Sequence, residues 1–137
     1  MTLQTDLAYL AGVVDGEGTV SCSITKTKKG CYALHKQFSI FNTNPNLISW
    51  ITVRFGGLVH SRVRSEKWKT EYQVKWSAED ATKLLTQILP YLVIKKEQAE
   101  IFIELHRNKS HRVSEELQKQ REFLVARVAE LNKRGPT

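Results

Sequence analysis

Leu10 to Gly18 reads Leu-Ala-Gly-Val-Val-Asp-Gly-Glu-Gly, and the rest of the chain is organised around it. Leu7, Leu10, Ala11 and Val14 recur at the spacing of one buried helix face. Ala8 and Gly12, four residues apart, form a second stripe with almost no side chain, on which another helix backbone can approach closely. Gly16 and Gly18 then offer the backbone freedom, left-handed conformations included, that ends helices. Asp15 and Glu17 stand at that end. A helix C-terminus carries partial negative charge, so each carboxylate there costs roughly 0.3–1 kcal/mol when exposed. A divalent cation reverses the sign, because hard cations such as magnesium take carboxylate and carbonyl oxygens. Two such helices packed through Ala8 and Gly12 would bring two Glu17 side chains together, a pair suited to metal-assisted phosphodiester hydrolysis. A lone Asp-Gly-Glu-Gly string is usually no more than a capped helix end with a solvated glutamate. The nine-residue string carries the stronger inference.

Working outward, Thr5 and Asp6 read as N-cap and first-turn acid of this helix, which runs to about Asp15. Beyond it, Val20, Cys22 and Ile24 alternate with Ser21, Ser23 and Thr25, a half-buried strand. Lys26, Lys28, Lys29 and Gly30 make a basic turn into a second strand, with Leu34, Phe38 and Ile40 on one face and His35, Gln37 and Ser39 on the other. Lys36 interrupts the apolar row and predicts a ragged start. Asn44-Pro45 opens the next helix, asparagine as N-cap and proline at the first helical position. Leu47, Ile48, Ile51 and Phe55 form its buried stripe, and Gly56-Gly57 ends it.

A third strand sets Val59, Ser61 and Val63 against His60, Arg62 and Arg64. A turn over Ser65 to Lys69 leads to a fourth, with Tyr72, Val74 and Trp76 against Glu71, Gln73 and Lys75. Ser77 caps a helix to Ile88, Pro90 interrupts, and further helices start near Lys95 and at Ser114, separated by a basic loop from Asn108 to Arg112. The order α-β-β-α-β-β-α with extra C-terminal helices is an α+β domain, and residues 1–137 read as one domain without internal repeat.

The apolar strand faces should cover the helices, leaving the opposite faces wet. Arg62, Arg64 and Lys75 can donate to guanine or phosphate, Gln37 and Gln73 can pair with adenine, and Glu71 can accept from cytosine. Ser21, Ser23, Thr25, His35, Ser39 and His60 complete the face, while Lys26, Lys28, Lys29, Lys67 and Lys69 flank it for backbone phosphates. A net charge of +7 calls for a polyanionic partner. No apolar run is long enough to span a bilayer and none resembles a secretory signal. Two cysteines make neither a disulfide framework nor a metal knuckle, so both read as reduced thiols of an intracellular protein. His60, His106 and His111 lack ligand partners at convincing spacing, and no serine stands in a nucleophile motif.

The Leu10–Gly18 string resembles the signature of the LAGLIDADG homing endonucleases, matching it at Leu10, Ala11, Gly12, Asp15 and Gly18. Val13 and Val14 occupy its apolar positions, Gly16 its small residue, and Glu17 replaces its final aspartate, keeping the carboxylate with one more methylene. The resemblance implies the homing-endonuclease fold with a curved antiparallel sheet. It implies a homodimer joined at Ala8, Tyr9, Gly12 and Asp15, acting on a long, near-palindromic double-stranded DNA site and leaving short 3′ overhangs. Glu17 and the Gly16 carbonyl would hold magnesium, with calcium supporting binding without cleavage. Asn44 falls where the family often keeps an amide near the attacking water, and Lys95 where it places a basic residue beside the active site. A second basic residue that some relatives carry on the Asn44 helix has no counterpart, Ile48 or Ser49 standing there. The main rival is a non-cleaving protein on the same scaffold, an intron-RNA maturase or a DNA-binding regulator. Against it, such a protein has no need of a carboxylate at Glu17. A general RNA-binding sheet would expose stacking aromatics, whereas Phe38, Tyr72 and Trp76 alternate onto the apolar side.

Overall fold

The alternating stretches fold as strands and the periodic ones as helices in a computed structural model that describes residues 3–63, 69–108 and 114–133. Helix α1 spans Gln4–Glu17, β1 Gly18–Lys26, β2 Tyr32–Asn42, α2 Pro45–Phe55, β3 Leu58–Arg62 and β4 Glu71–Trp76. Then follow α3, Ala78–Ile88, a 3-10 turn at Leu89–Tyr91 where Pro90 breaks the helix, α4, Lys96–Arg107, and α5, Glu115–Asn132. The strands form one antiparallel sheet in the order β1-β2-β4-β3. This is the expected mixed architecture, with the two added C-terminal helices.

The core lies between one sheet face and the helices. Leu10, Ala11 and Val14 of α1 are fully buried, together with Val20, Phe38, Ile40 and Val74 of the sheet. Phe38 stacks on its cross-strand neighbour Trp76 at 4.8 Å between ring centres. Trp76 Nε1 donates to the Phe55 carbonyl at 3.0 Å, fixing the end of α2 to β4. Asn44, Ser77 and Ser114 cap their helices as their sequence positions predict, each accepting a backbone N–H. Helix α5 covers the outer edge of β1, where Asn132 donates to the Val20 carbonyl at 2.8 Å. An unpaired strand edge is thereby closed. Burial at β1 also drives the Cys22 thiol up to about 11, so it stays protonated and unreactive.

Four local expectations give way. Helix α1 starts at Gln4 with Leu3 as its cap, so Thr5 lies inside it and caps nothing. The Lys36 interruption does not fray β2, which runs unbroken for 11 residues because Lys36 pairs in register with Cys22. The apolar face of β3 is not covered: Val59 and, just past the strand, Val63 are exposed, because β3 is the sheet edge opposite the one that α5 covers. Gly18 is extended, not left-handed, with φ −86°. Its requirement is space, since a Cβ there would lie 2.8 Å from the Val14 carbonyl oxygen. Helix α1 can therefore pass into β1 with no intervening loop.

Gly56 and Gly57 do need positive φ, +71° and +99°. A Cβ on Gly57 would also fall 2.6 Å from a Val74 methyl, whereas one on Gly56 meets nothing within 4 Å. Gly56, at φ +71° and ψ −147°, occupies backbone space essentially reserved for glycine, so Gly56→Ala is expected to lower stability by roughly 1–3 kcal/mol. Gly57→Ala, which adds a clash with Val74, is expected to lower it by roughly 1–3 kcal/mol more. Urea denaturation of the two variants checks the difference, and equal losses would refute the packing argument.

Candidate active site and nucleic-acid interface

The end of α1 is held by two reciprocal contacts with the start of α4. The Asp15 carboxylate accepts from the backbone N–H groups of Val93 at 2.9 Å, Ile94 at 3.1 Å and Lys95 at 2.9 Å. Lys95 is the N-cap of α4 and Val93 and Ile94 lead into it, so the carboxylate lies at the positive end of that helix. In return, Lys95 Nζ donates to the carbonyls of Val14, at 3.1 Å, and Gly18, the acceptors at the C-terminal end of α1. Each helix end thus receives the charge its dipole favours. This corrects one expectation: Asp15 does not burden the helix end, because its oxygens accept from the segment that leads into α4. The long Lys95 side chain carries its charge away from the start of α4 to the end of α1. Burial lowers the Lys95 pKa, while the nearby Asp15 and Glu17 carboxylates act to raise it.

With Asp15 committed, Glu17 is the carboxylate that this end presents to solvent, and Gly16 beside it is also exposed. Magnesium prefers about six oxygen ligands. Among the described residues no group of three or more His, Cys, Asp or Glu side chains could hold a metal ion. Glu17 and the Gly16 carbonyl are oxygen donors of the right chemistry but too few. By themselves they do not complete the shell of a hard cation.

The small-residue stripe is open. Ala8, Gly12 and Gly16 are exposed, and nothing lies within 4 Å of a Cβ placed on either glycine. Tyr9 is 57% exposed beside the stripe, with its ring edge-on to Trp50 at 4.7 Å. Asn44 Oδ1 accepts from Asn46 N–H at 2.9 Å, so the capping role expected of it is present. β2 runs two residues past the Gly18–Ile40 pair, and Asn44 follows it into α2, lining a hollow with Thr5, Asp6 and Tyr9 of α1.

The polar sheet face forms rows across the strands. Ser21 pairs with Gln37 and Ser23 with His35. His60 pairs with Gln73, and Arg62 with Glu71. Thr25 bonds His35 at 2.9 Å, and Arg62 meets Glu71 at 3.3 Å. Lys26, Lys28, Lys29, Lys69 and Lys75 are exposed around these rows. Arg64 and Lys67 lie outside the described residues. Ser39 is a correction: it is 0% exposed between Thr19 and Lys75, and accepts from Gln37 Nε2 at 3.1 Å. It therefore holds a neighbour in place rather than reaching outward itself. Two apolar residues that the polar pattern concealed, Phe41 and Leu58, share this face, in register with Gln73 and Lys75. Continuing the β2 alternation past Ile40 would have found Phe41. Among the described residues no helix is long and apolar enough to cross a membrane.

The LAGLIDADG endonuclease family matches residues 10–102, which span the α1 motif, the whole sheet and most of α4. Comparison with curated protein sequences gives no match. Among solved structures, the chain is similar to the homing endonuclease I-CvuI in complex with the I-CreI target in the presence of magnesium. The identity is 22%, the TM-score 0.75, and the match covers 98% of this chain and 87% of that one. The group I intron-encoded homing endonuclease I-CeuI, complexed with DNA, matches at 16% identity and TM-score 0.75 over 100% of this chain and 71% of that one. The LAGLIDADG homing endonuclease I-GzeII, in complex with its DNA target, matches at 19% identity and TM-score 0.65. That alignment covers 88% of this chain and 43% of the longer one.

Proposed function

Since the chain belongs to the LAGLIDADG endonuclease family of DNA-cleaving enzymes, we propose that it cuts both strands of a long, near-palindromic DNA site as a homodimer. Residues 1–137 form one domain and one half of the active unit. The carrying observation is the exposed Ala8–Gly12–Gly16 stripe with Glu17 at its end. A two-fold axis along that stripe brings two Glu17 carboxylates together, and a two-fold dimer suits a target of matching symmetry. The I-GzeII alignment supports the same arithmetic, since two copies of this chain would fill that longer one.

In this reading, the rows of the sheet face enter the major groove and the exposed lysines hold backbone phosphates. Glu17 and the Gly16 carbonyl of each copy would hold magnesium at the end of the stripe. When bound, the metal activates water and stabilises the leaving oxygen. Lys95 keeps a positive charge beside Glu17, and Asn44 stands near the attacking water while capping α2. Cleavage leaves short 3′ overhangs. Calcium supports binding without cleavage; related solved complexes carry magnesium with uncleaved DNA in one case and calcium in another. The enzyme acts inside the cell, where its DNA substrate is found.

The test is selection from a randomised double-stranded library with magnesium and with calcium. A near-palindromic site bound in both, and cut only with magnesium, is the expected result. Specific binding without scission under any metal would replace the enzyme by a DNA-binding regulator, and selection of RNA over DNA by a maturase. The dimer has its own test. Gly12→Leu is expected to sediment as a monomer with stability within about 0.5 kcal/mol of wild type, because Gly12 faces open space. A dimeric Gly12→Leu protein would refute the stripe as the interface.

A further inference from the structure

Phe41 is out of keeping with its surroundings. It stands on the polar face of β2, half-buried, and is not among the apolar side chains that pack against the core. Register sets it directly across from Gln73 on β4, and Gln73 across from His60 on β3. Three side chains of different chemistry thus form one row, each about 4.8 Å from the next. A hollow of about 300 Å³ opens over this row, lined by Phe41, His60, Gln73 and the Arg62–Glu71 pair. That pair closes one end of the hollow, its two charged heads engaged with each other at 3.3 Å.

An aromatic ring placed there covers no core and gains nothing from water. Its neighbours limit what it can meet in a DNA groove. In the major groove, adenine offers N7 as acceptor and N6–H as donor, a pattern that a glutamine amide matches bidentately, while the paired thymine offers O4 and a methyl group. Apolar contact with that methyl is the one major-groove interaction for which a phenylalanine is suited and a polar side chain is not. Neighbouring strands hold an amide and a ring side by side, as the two halves of one A·T pair require.

Resting on the endonuclease reading above, we propose that Phe41 and Gln73 together read one A·T pair in each half-site, Gln73 by hydrogen bonds to adenine and Phe41 by contact with the thymine methyl. These two residues make this position selective for a methylated pyrimidine opposite adenine. Uracil opposite adenine keeps every hydrogen bond and lacks only the methyl, so it isolates the contribution of Phe41.

The experiment uses the full chain and the site selected in calcium. Each thymine in turn is replaced by deoxyuridine, and binding is measured for wild type, Phe41→Ser, Phe41→Leu and Gln73→Ala. One thymine per half-site is expected to matter for wild type, with affinity falling roughly fourfold on loss of one buried methyl. Phe41→Ser should bind thymine and uracil alike at that position, while Phe41→Leu, which keeps an apolar contact, should still distinguish them. Gln73→Ala should lose between about 5-fold and 150-fold at the paired adenine and little elsewhere. The inference is overturned if no thymine methyl matters to wild type, or if Phe41→Ser retains the full discrimination. It is also overturned if Phe41→Ser weakens all sequences equally while melting as wild type does. Failure to select any DNA site overturns the endonuclease reading as well, so the two failures are told apart.

Discussion

Glu17→Gln binds the selected site as tightly as wild type in calcium and leaves it uncut in magnesium. The exchange keeps the shape and the hydrogen-bonding capacity of the side chain and removes only its charge. Hard cations depend on that charge, since carboxylate oxygen is their preferred protein ligand. Asp15 cannot take over, because its oxygens already accept three backbone N–H groups of the Val93–Lys95 segment. Each copy therefore contributes a single replaceable carboxylate, and the substitution removes both from the dimer at once. The single-turnover cleavage rate is expected to fall on the order of 10³-fold or more, comparable to removing one group aimed at transition-state charge. Folding should be unaffected, since Glu17 is exposed and makes no part of the core. Removing two negative charges that point toward phosphates offsets the loss of the cations they would hold, so affinity is expected to stay near that of wild type. A cleavage rate within tenfold of wild type would remove Glu17 from the chemistry.

The parts of this architecture that were legible in sequence are those set by short-range periodicity. Leu10, Ala11 and Val14 announce their burial by spacing alone. Val20, Phe38, Ile40 and Val74 do so by alternation, because a strand with one covered face has no other way to pattern itself. The caps at Asn44, Ser77 and Ser114 are equally local. What could not be read depends on partners distant in the chain. The dipole argument at Asp15 was sound for an isolated helix and failed because three donors 78 to 80 residues away supply the counterpart. Nothing in the local string announces them. Ser39 follows the polar pattern yet is sealed by its cross-strand neighbours, and Val59 follows the apolar pattern yet is left bare. Strand order, and which edge of the sheet the helices cover, decides both, and neither is visible to periodicity. Half of the candidate site was therefore readable as residue identities. The pairing of Asp15 and Lys95 that fixes its geometry was not.

That pairing yields the second large effect. Lys95→Met should slow cleavage about 10- to 100-fold, the usual cost of losing a group that orients a metal ligand from behind. Lys95 Nζ binds the carbonyls of Val14 and Gly18, which bracket Glu17 in sequence, so the ammonium fixes where the helix-to-strand junction aims that carboxylate. A role through Glu17 has a signature that a direct role lacks: part of the lost rate returns as magnesium is raised. If saturating magnesium recovers nothing, Lys95 acts on the reacting groups themselves. The wild type carries a matching pH dependence. Burial holds the folded-state pKa of Lys95 below its ordinary value of 10.5, so between the lowered value and 10.5 the unfolded chain binds the extra proton. Stability through this group therefore rises with pH across that window. Loss of the Lys95 proton as pH climbs should slow cleavage without unfolding the protein. Cleavage and melting temperature measured together across the alkaline range should part company in wild type, the first falling while the second does not. In Lys95→Met that alkaline fall in rate should be absent, and its persistence there would assign it to another group.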